Sequence, residues 1–292
     1  MEGIRVIGRL LQRVRNSVRW RLGFRPLYER PMPEALAAFQ RRRGLIAQPE
    51  RLLRNGIAVV VPVFGHEPYL ESAVASLARQ TYRPFHVVFV EDRSPDGSLE
   101  LLRRLAPQLP KGIAATVLRT PRNSGQAAAI NLAVRARRAS LYVVLNDDDY
   151  LMHDCLEANL AMFEKMPDIY LLGAGCVPFS GAGEPPADEA GRRIRSRFPD
   201  YGAIPVRRIE AAEAQRFTHP NDFNVTHSGS CFHRAAWESA GGYYPDPWKR
   251  VVRFSDRDFQ LRVAVLLPCA ATMDAPFAFW REGSSVDAGK NS

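Results

Sequence analysis

Cysteine is scarce in this 292-residue chain: four residues, at 155, 176, 231 and 269, with no CxxC pair and no Cys/His cluster of zinc-finger spacing. A disulfide-stapled scaffold and a structural zinc site are excluded, and free thiols of a reducing compartment are expected. Long apolar runs are missing too. The nearest, Val263 to Trp280, is broken by Pro268, Asp274 and Pro276, short of the roughly 18 to 20 apolar residues a membrane-spanning helix needs. The start of the chain is basic and lacks the compact apolar stretch and small-residue cleavage site of a secretory signal. The protein is therefore expected in the cytoplasm. Glycine-rich phosphate loops are also absent: no GxGxxG follows an apolar run, GlyAlaGly at 173–175 continues as CysValPro, and no GxxxxGK[ST] occurs. Dinucleotide-dependent hydride transfer and Walker-type phosphoryl transfer lose their usual cradle.

Positive charge is present, but in one place. Residues 1–55 hold 13 Arg and 4 Glu, whereas residues 56–292 hold 27 basic and 27 acidic side chains. The body has no basic surplus with which to neutralise a duplex, and no zinc-finger, RRM or KH signature appears, so nucleic acid is not an expected partner. In the arm, Ile4, Ile7, Leu11, Val14 and Val18 recur at helical spacing, opposite Arg5, Arg9, Arg13, Arg15, Arg19 and Arg21. A helix over residues 4–22 with these two faces suits an anionic membrane surface. It equally suits packing on protein, because amphipathicity does not name the apolar partner. Pro26, Pro31 and Pro33 then mark a linker.

From Ile57 the period changes. IleAlaValValValProVal at 57–63 is a β-branched run of the kind buried on both faces in a parallel sheet. A helix (about 67–79), a strand (85–90), a helix opened by SerProAspGlySer at 94–98, a weaker strand (113–118), a helix (about 125–138) and a strand (141–145) follow. Such alternation predicts a doubly wound α/β sheet, whose ligands bind beyond the carboxyl ends of the strands. Those ends carry ProValPheGlyHis (62–66), GluAspArgSer (91–94), ArgAsnSerGlyGln (122–126) and AsnAspAspAsp (146–149). The run Asp147, Asp148, Asp149 offers hard oxygen ligands to Mg²⁺ or Mn²⁺, which in turn would let a diphosphate sit beside carboxylates. The bland alternative is an acidic turn with solvated charges.

Together these segments resemble glycosyltransferase family 2, the nucleotide-sugar-dependent enzymes of GT-A fold. The resemblance lies in ValValProValPhe (60–64), GlnThrTyrArgPro (80–84), ValValPheValGluAspArgSer (87–94), AsnSerGlyGlnAlaAlaAlaIleAsn (123–131) and LeuAsnAspAspAsp (145–149), with a weaker block from about Phe217 to Ser285. It implies a GT-A type doubly wound, mostly parallel sheet flanked by helices. The implied organisation is a basic arm and linker (1–55), a nucleotide-sugar-binding half (56–150) and an acceptor-binding half (151–292). The main chain at Pro62 and Val63, with Asp92, would hold the base and ribose of the donor. Asn123, Gly125, Gln126, Asn146 and Asp147 would line the same pocket, with Asp148 as principal metal ligand and Asp149 beside it. Asn146 stands where the family carries the first acid of its DxD motif, and Phe64 and Gly65 stand where it often has Tyr and Asn. SerAspArgAsp at 255–258 resembles the segment that supplies the catalytic base, which makes Asp256 the base and Asp258 the fallback. The segment at 280–285 lacks the family's usual His, and residues 176–216 match no family segment and read as an acceptor loop or plain surface.

The implied reaction is metal-assisted, inverting transfer of a hexosyl group from a nucleoside diphosphate sugar to an acceptor hydroxyl. The enzyme would be non-processive, because no QxxRW motif is present, and would serve cell-surface polysaccharide or glycolipid synthesis. An arm on the inner face of the cell membrane would bring a lipid-linked acceptor into reach. A nucleotidyltransferase, or a GT-A-like binding protein that has lost activity, are the alternatives.

Overall fold

The computed structural model describes residues 56–185, 193–210, 225–244 and 255–284. The arm, with the helix expected over 4–22, lies outside the described residues, as do 186–192 and 211–216 of the unmatched segment, and 217–224, 245–254 and 285–292 further on. Among the described residues no helix is long and apolar enough to cross a membrane.

The alternation expected from the sequence is present. It runs β1 (Ile57–Val63), α1 (Glu67–Ala78), β2 (Phe85–Glu91), α2 (Ser98–Leu105), β3 (Ile113–Arg119), α3 (Gln126–Ala136) and β4 (Leu141–Val144). Strand β1 lies at the centre, parallel to β2 on one side and β4 on the other, and β3 extends the sheet beyond β2. All seven residues of β1 are buried. Because side chains alternate along a strand, Ile57, Val59, Val61 and Val63 pack with Leu70, Leu77 and Leu102 of α1 and α2. Ala58 and Val60 point the other way, into a cluster with Ile130 and Ala133 of α3. Burying a side chain of Val or Ile size stabilises by about 1.5–3 kcal/mol, so the strand is held firmly up to the point where polar residues begin.

The chain continues as β5 (Tyr150–Leu151), α4 (Cys155–Lys165), β6 (Leu171–Phe179), α5 (Ile194–Arg197), β7 (Arg207–Ile209), β8 (Thr226–His233), α6 (Arg234–Ala240), α7 (Ser255–Leu266) and β9 (Cys269–Arg281). The sheet order is β3-β2-β1-β4-β8-β6-β9-β5, with β7 also on β9. The first half is parallel throughout. Strand β8 enters antiparallel beside β4, and β6 is antiparallel to β8 but parallel to β9. Both halves therefore share one sheet, and the segment with β9 at its end folds back over the ends of β1 and β4.

Residues 193–204, part of the segment with no family counterpart, are packed rather than merely superficial. The buried Asp154 carboxylate accepts from the Ile194 and Arg195 amides at 2.8 and 2.9 Å and from the Tyr201 hydroxyl at 3.0 Å. Ile194, Tyr201 and Ile204 thereby enter the core.

Candidate active site

The sheet opens where β1 and β4 part. Their register ends at Val60 and Val144, and the last ladder bond runs from the Leu145 amide to the Val60 carbonyl. Alternate residues of β1 face β4, so Pro62 is the next to do so. It has no N–H to donate, and past the end of the ladder none is required. Phe64 faces the same way, and its amide donates to Asp147 Oδ2 at 2.8 Å. An aspartate side chain thus takes over where β4 stops.

Asn146 to Asp149 form a tight turn, closed by the Asp149 amide on the Asn146 carbonyl at 3.1 Å, before β5 pairs with β9. Asp147, Asp148 and Asp149 are 5%, 9% and 1% exposed, which excludes the solvated acidic turn. Each carboxylate has a separate set of partners. Asp147 Oδ1 lies 2.8 Å from His66 Nδ1. Asp148 Oδ2 accepts from the Ser284 hydroxyl at 2.6 Å, and its other oxygen meets no hydrogen-bond donor among the described residues. Asp149 accepts from the Arg281 amide at 3.0 Å, the Ser228 hydroxyl at 2.5 Å and the Asn146 side-chain amide at 3.2 Å.

The electrostatics follow from this crowding. Burial and then the neighbouring Asp148 charge push the Asp149 carboxyl up to about 7, against the pull of its hydrogen bonds. Burial opposes charge on His66 as well, but the hydrogen bond and attraction of Asp147, with Asp148 behind it, raise the ring to about 9. Burial pushes the Asp147 carboxyl upward as well, against the pull of its hydrogen bonds from the His66 ring and the Phe64 amide.

Arg281 closes the site from behind. Its Nε donates to the Asp148 carbonyl at 2.6 Å, and its guanidinium reaches the carbonyls of Gly181 and Gly183 and the Ser72 hydroxyl. It lies 4.2 Å from the ring centre of Phe179 and 4.7 Å from that of Tyr69. Burial lowers its pKa, though a guanidinium remains charged.

The expected donor residues come together on the neighbouring loops. Asp92, 2% exposed, accepts from the Thr120 hydroxyl and the Gly125 amide at 2.6 Å each and from the Ser124 amide at 2.9 Å. Its carboxylate thereby holds the loop that carries Asn123 and Gly125 to the start of α3. Gly125 has φ +81°, a conformation that favours glycine. Gln126 donates to Asn146 Oδ1 at 2.9 Å and accepts from the Ser255 hydroxyl at 3.4 Å. One residue therefore joins the aspartate turn to the first turn of α7.

The two acids of that turn differ sharply. Asp258 is fully buried and ion-paired with Arg262 at 2.8 Å. Arg262 in turn donates to the carbonyls of Ala240 and Gly242 and stacks 3.7 Å from the centre of the Tyr244 ring. Asp256 is half-buried and makes no hydrogen bond among the described residues; its charge acts on the buried His227 and Tyr243. His66, Ser228, Arg281 and Ser284 were not expected in the site. His66 lies within the strand-end ProValPheGlyHis, but its partner Ser284 is 218 residues away, so only the assembled sheet shows the pairing.

A parallel first half, a mixed second half and an acidic turn where they meet define a GT-A fold. Residues 58–238 match the family model described as Glycosyl transferase family 2, and the chain belongs to that family. It is 26% identical over 238 residues to the uncharacterized glycosyltransferase YwdF of Bacillus subtilis, covering 80% of this chain and 78% of that protein. It is 29% identical over 104 residues to an uncharacterized glycosyltransferase of Haemophilus influenzae, spanning 36% of this chain and 40% of the relative. Among solved structures, S. aureus TarS 1–349 in complex with UDP-GlcNAc aligns with a TM-score of 0.57 at 16% identity, over 77% of this chain and 58% of that one. The mannosyltransferase PcManGT from Pyrobaculum calidifontis, in complex with GDP-Man and Mn²⁺, aligns with a TM-score of 0.54 at 20% identity, over 87% and 66%. At these identities the two structures establish the fold.

Proposed function

We propose that the protein transfers a hexosyl group, with inversion, from a nucleoside diphosphate sugar to an acceptor hydroxyl, assisted by Mg²⁺ or Mn²⁺. The observation that carries this reading is the buried aspartate turn, in which one Asp148 oxygen has no donor among the described residues. Ligand atoms of His66, Asp147 and Asp148 lie within 4.8 Å of one another, and carboxylate oxygens suit such a cation. Asp148 is its principal holder; Asp149, whose oxygens are occupied by protein donors, shapes the turn. When bound, the cation neutralises charge on the departing diphosphate.

The chain's own residues do the rest. Residues 56–150 form the donor half: Pro62 and Val63 line the gap after β1, and Asp92 sets the Asn123–Gln126 loop against the base and ribose. Asn146 and Asp147 complete that wall. Residues 151–292 form the acceptor half, where Asp256 takes the proton of the attacking hydroxyl; a positioned base of this kind contributes about 10² to 10⁴ in rate. The likeness to structures holding UDP-GlcNAc and GDP-Man with Mn²⁺ supports a nucleotide-sugar donor and a cation. The arm is read as a peripheral attachment at the inner face of the cell membrane, beside a lipid-linked acceptor of polysaccharide or glycolipid synthesis.

A thermal-shift panel of nucleotide sugars with and without Mn²⁺ tests this, since a ligand of the folded state stabilises by RT ln(1 + [L]/Kd). Metal-dependent stabilisation followed by nucleoside diphosphate release is expected. Pyrophosphate release from a triphosphate would indicate a nucleotidyltransferase, and stabilisation without turnover a binding protein.

A further inference from the structure

We propose that His66 Nδ1 is a direct ligand of the divalent cation, which then lies between the loop after β1 and the turn after β4. This rests on the cation-assisted reading above and adds a nitrogen to a site otherwise made of oxygen. The orientation of the ring is the first ground. His66 Nε2 is 2.9 Å from the Ser284 carbonyl oxygen, an atom that only accepts, so Nε2 carries a proton and Nδ1 is the ring atom turned to the carboxylates. A carbonyl behind the ring is a common way of aiming a metal-binding histidine.

The loop is also fixed on both sides of the ring. The Phe64 amide is held by Asp147 at 2.8 Å, the Gly65 amide by the Ser94 hydroxyl at 3.2 Å and the Glu67 amide by Asp96 at 3.0 Å. Gly65 supplies the φ of +72° that the bend requires. A ring carried on such a loop is presented in one place.

Spacing is the third ground. Without an ion, His66 Nδ1 and Asp147 Oδ1 share a hydrogen bond of 2.8 Å, close to the roughly 3.0 Å between neighbouring ligands of an octahedral ion with bonds of about 2.1 Å, so little movement separates the hydrogen-bonded pair from a pair of ligands. The ligand oxygen of Asp148 lies within 4.8 Å of the other two atoms. Among the described residues no other His, Cys, Asp and Glu side chains gather in this way. On binding, the cation takes the place of the Nδ1 proton, which leaves to solvent.

Mg²⁺ keeps to oxygen, whereas imidazole is a ligand of transition-metal ions. His66 therefore biases the site toward Mn²⁺. The test uses the full chain with Mn²⁺ alone and with Mn²⁺ plus UDP or GDP, read by pulsed EPR for the ¹⁴N coupling of a bound imidazole. The wild type is expected to show that coupling, and His66→Gln to lose it while remaining folded, with a lower Tm because the Asp147 pair is gone. Mn²⁺ affinity should fall at least tenfold in His66→Gln, Mg²⁺ affinity less, so that the Mn²⁺ preference drops. Should His66→Gln fail to fold, His66→Asp restores an oxygen ligand and is expected to bind Mn²⁺ without the nitrogen signal. Mn²⁺ bound by the wild type with no nitrogen coupling, or a coupling that survives both substitutions, refutes the ligation and leaves the cation reading intact. No Mn²⁺ binding with or without nucleotide overturns both.

Discussion

Replacing Asp258 by asparagine takes one charge out of an ion pair whose side chains are 0% and 3% exposed, leaving the Arg262 guanidinium buried without its counter-ion. Removing one partner of such a pair costs about 3–5 kcal/mol. Asparagine still offers an oxygen to Arg262, and Arg262 keeps the Ala240 and Gly242 carbonyls and the Tyr244 ring, so the lower figure, about 3 kcal/mol, applies. For a folded body of this size, where each kcal/mol shifts Tm by about 2–4 °C, the expected drop is about 6–12 °C. Turnover per folded molecule, measured as nucleoside diphosphate release well below the new Tm, should stay within about threefold of wild type if Asp256, and not the buried and ion-paired Asp258, is the base. Asp256→Asn should do the reverse. That side chain is half-buried and makes no hydrogen bond among the described residues, so stability should change by less than about 0.5 kcal/mol while turnover falls about 10²- to 10⁴-fold. The two acids sit two residues apart, so the crossed pattern separates strut from chemistry within one helical turn. If Asp258→Asn abolished turnover without lowering Tm while Asp256→Asn was silent, both assignments would be reversed. A shift below about 2 °C in Asp258→Asn would show that the pair does not brace α7.

Three further outcomes are expected. Asp148→Ala should abolish the Mn²⁺-dependent part of UDP or GDP binding, measured by calorimetry, with little change in Tm; unaltered metal-dependent affinity would remove Asp148 from the cation site. Asp92→Ala leaves the Ser124 and Gly125 amides without their carboxylate, and hydrogen bonds to a charged group contribute about 1.5–3 kcal/mol each. Those two amides should exchange with deuterium at least tenfold faster and donor affinity should fall in step; faster exchange at unchanged affinity would dissociate the loop from the donor. A chain starting at Gly23 should keep donor affinity but no longer sediment with anionic vesicles, since the six arginines between Ile4 and Leu22 each contribute on the order of 1 kcal/mol there. Equal sedimentation by both chains would assign the arm to a protein surface.

The first half of the fold was legible because each of its signals is local. The seven apolar residues of β1 announce a strand buried on both faces, and the acidic turn follows directly on the β4 run. The insertion of β8 between β4 and β6 has no such signature, since it depends on distant pairing partners, such as Val143 with Cys231, 88 residues apart, and Leu172 with Cys231, 59 residues apart. The sequence ranks Asp256 above Asp258 only through the family resemblance; the i,i+4 spacing of Asp258 to Arg262 hints at a salt bridge, and the structure buries that pair while leaving Asp256 half-buried. The packing of 193–204, read from the sequence only as an acceptor loop or plain surface, is not visible there because its anchor, Asp154, is a single acid whose three partners lie 40 to 47 residues ahead. Arg281 was hidden for the same reason at greater range: its neighbours Asp148, Gly181 and Ser72 are scattered along the chain and converge only in three dimensions.

That convergence has a consequence for synthesis. Asp149 waits for the Arg281 amide, 132 residues downstream, and at about 5–20 residues per second the ribosome takes roughly 7–26 s to deliver it. During that interval β1 to β4 can pair, while three adjacent carboxylates at the edge of the nascent sheet repel one another without the strand that quiets them. The aspartate turn therefore completes its hydrogen bonds only after β9 has emerged, and a ribosome stalled before β9 would hold a chain in which β1 to β4 can pair while the Asp149 carboxylate still lacks the Arg281 amide. Pulsed hydrogen exchange on arrested chains should find the amides of β1 protected while that of Asp149 is still open.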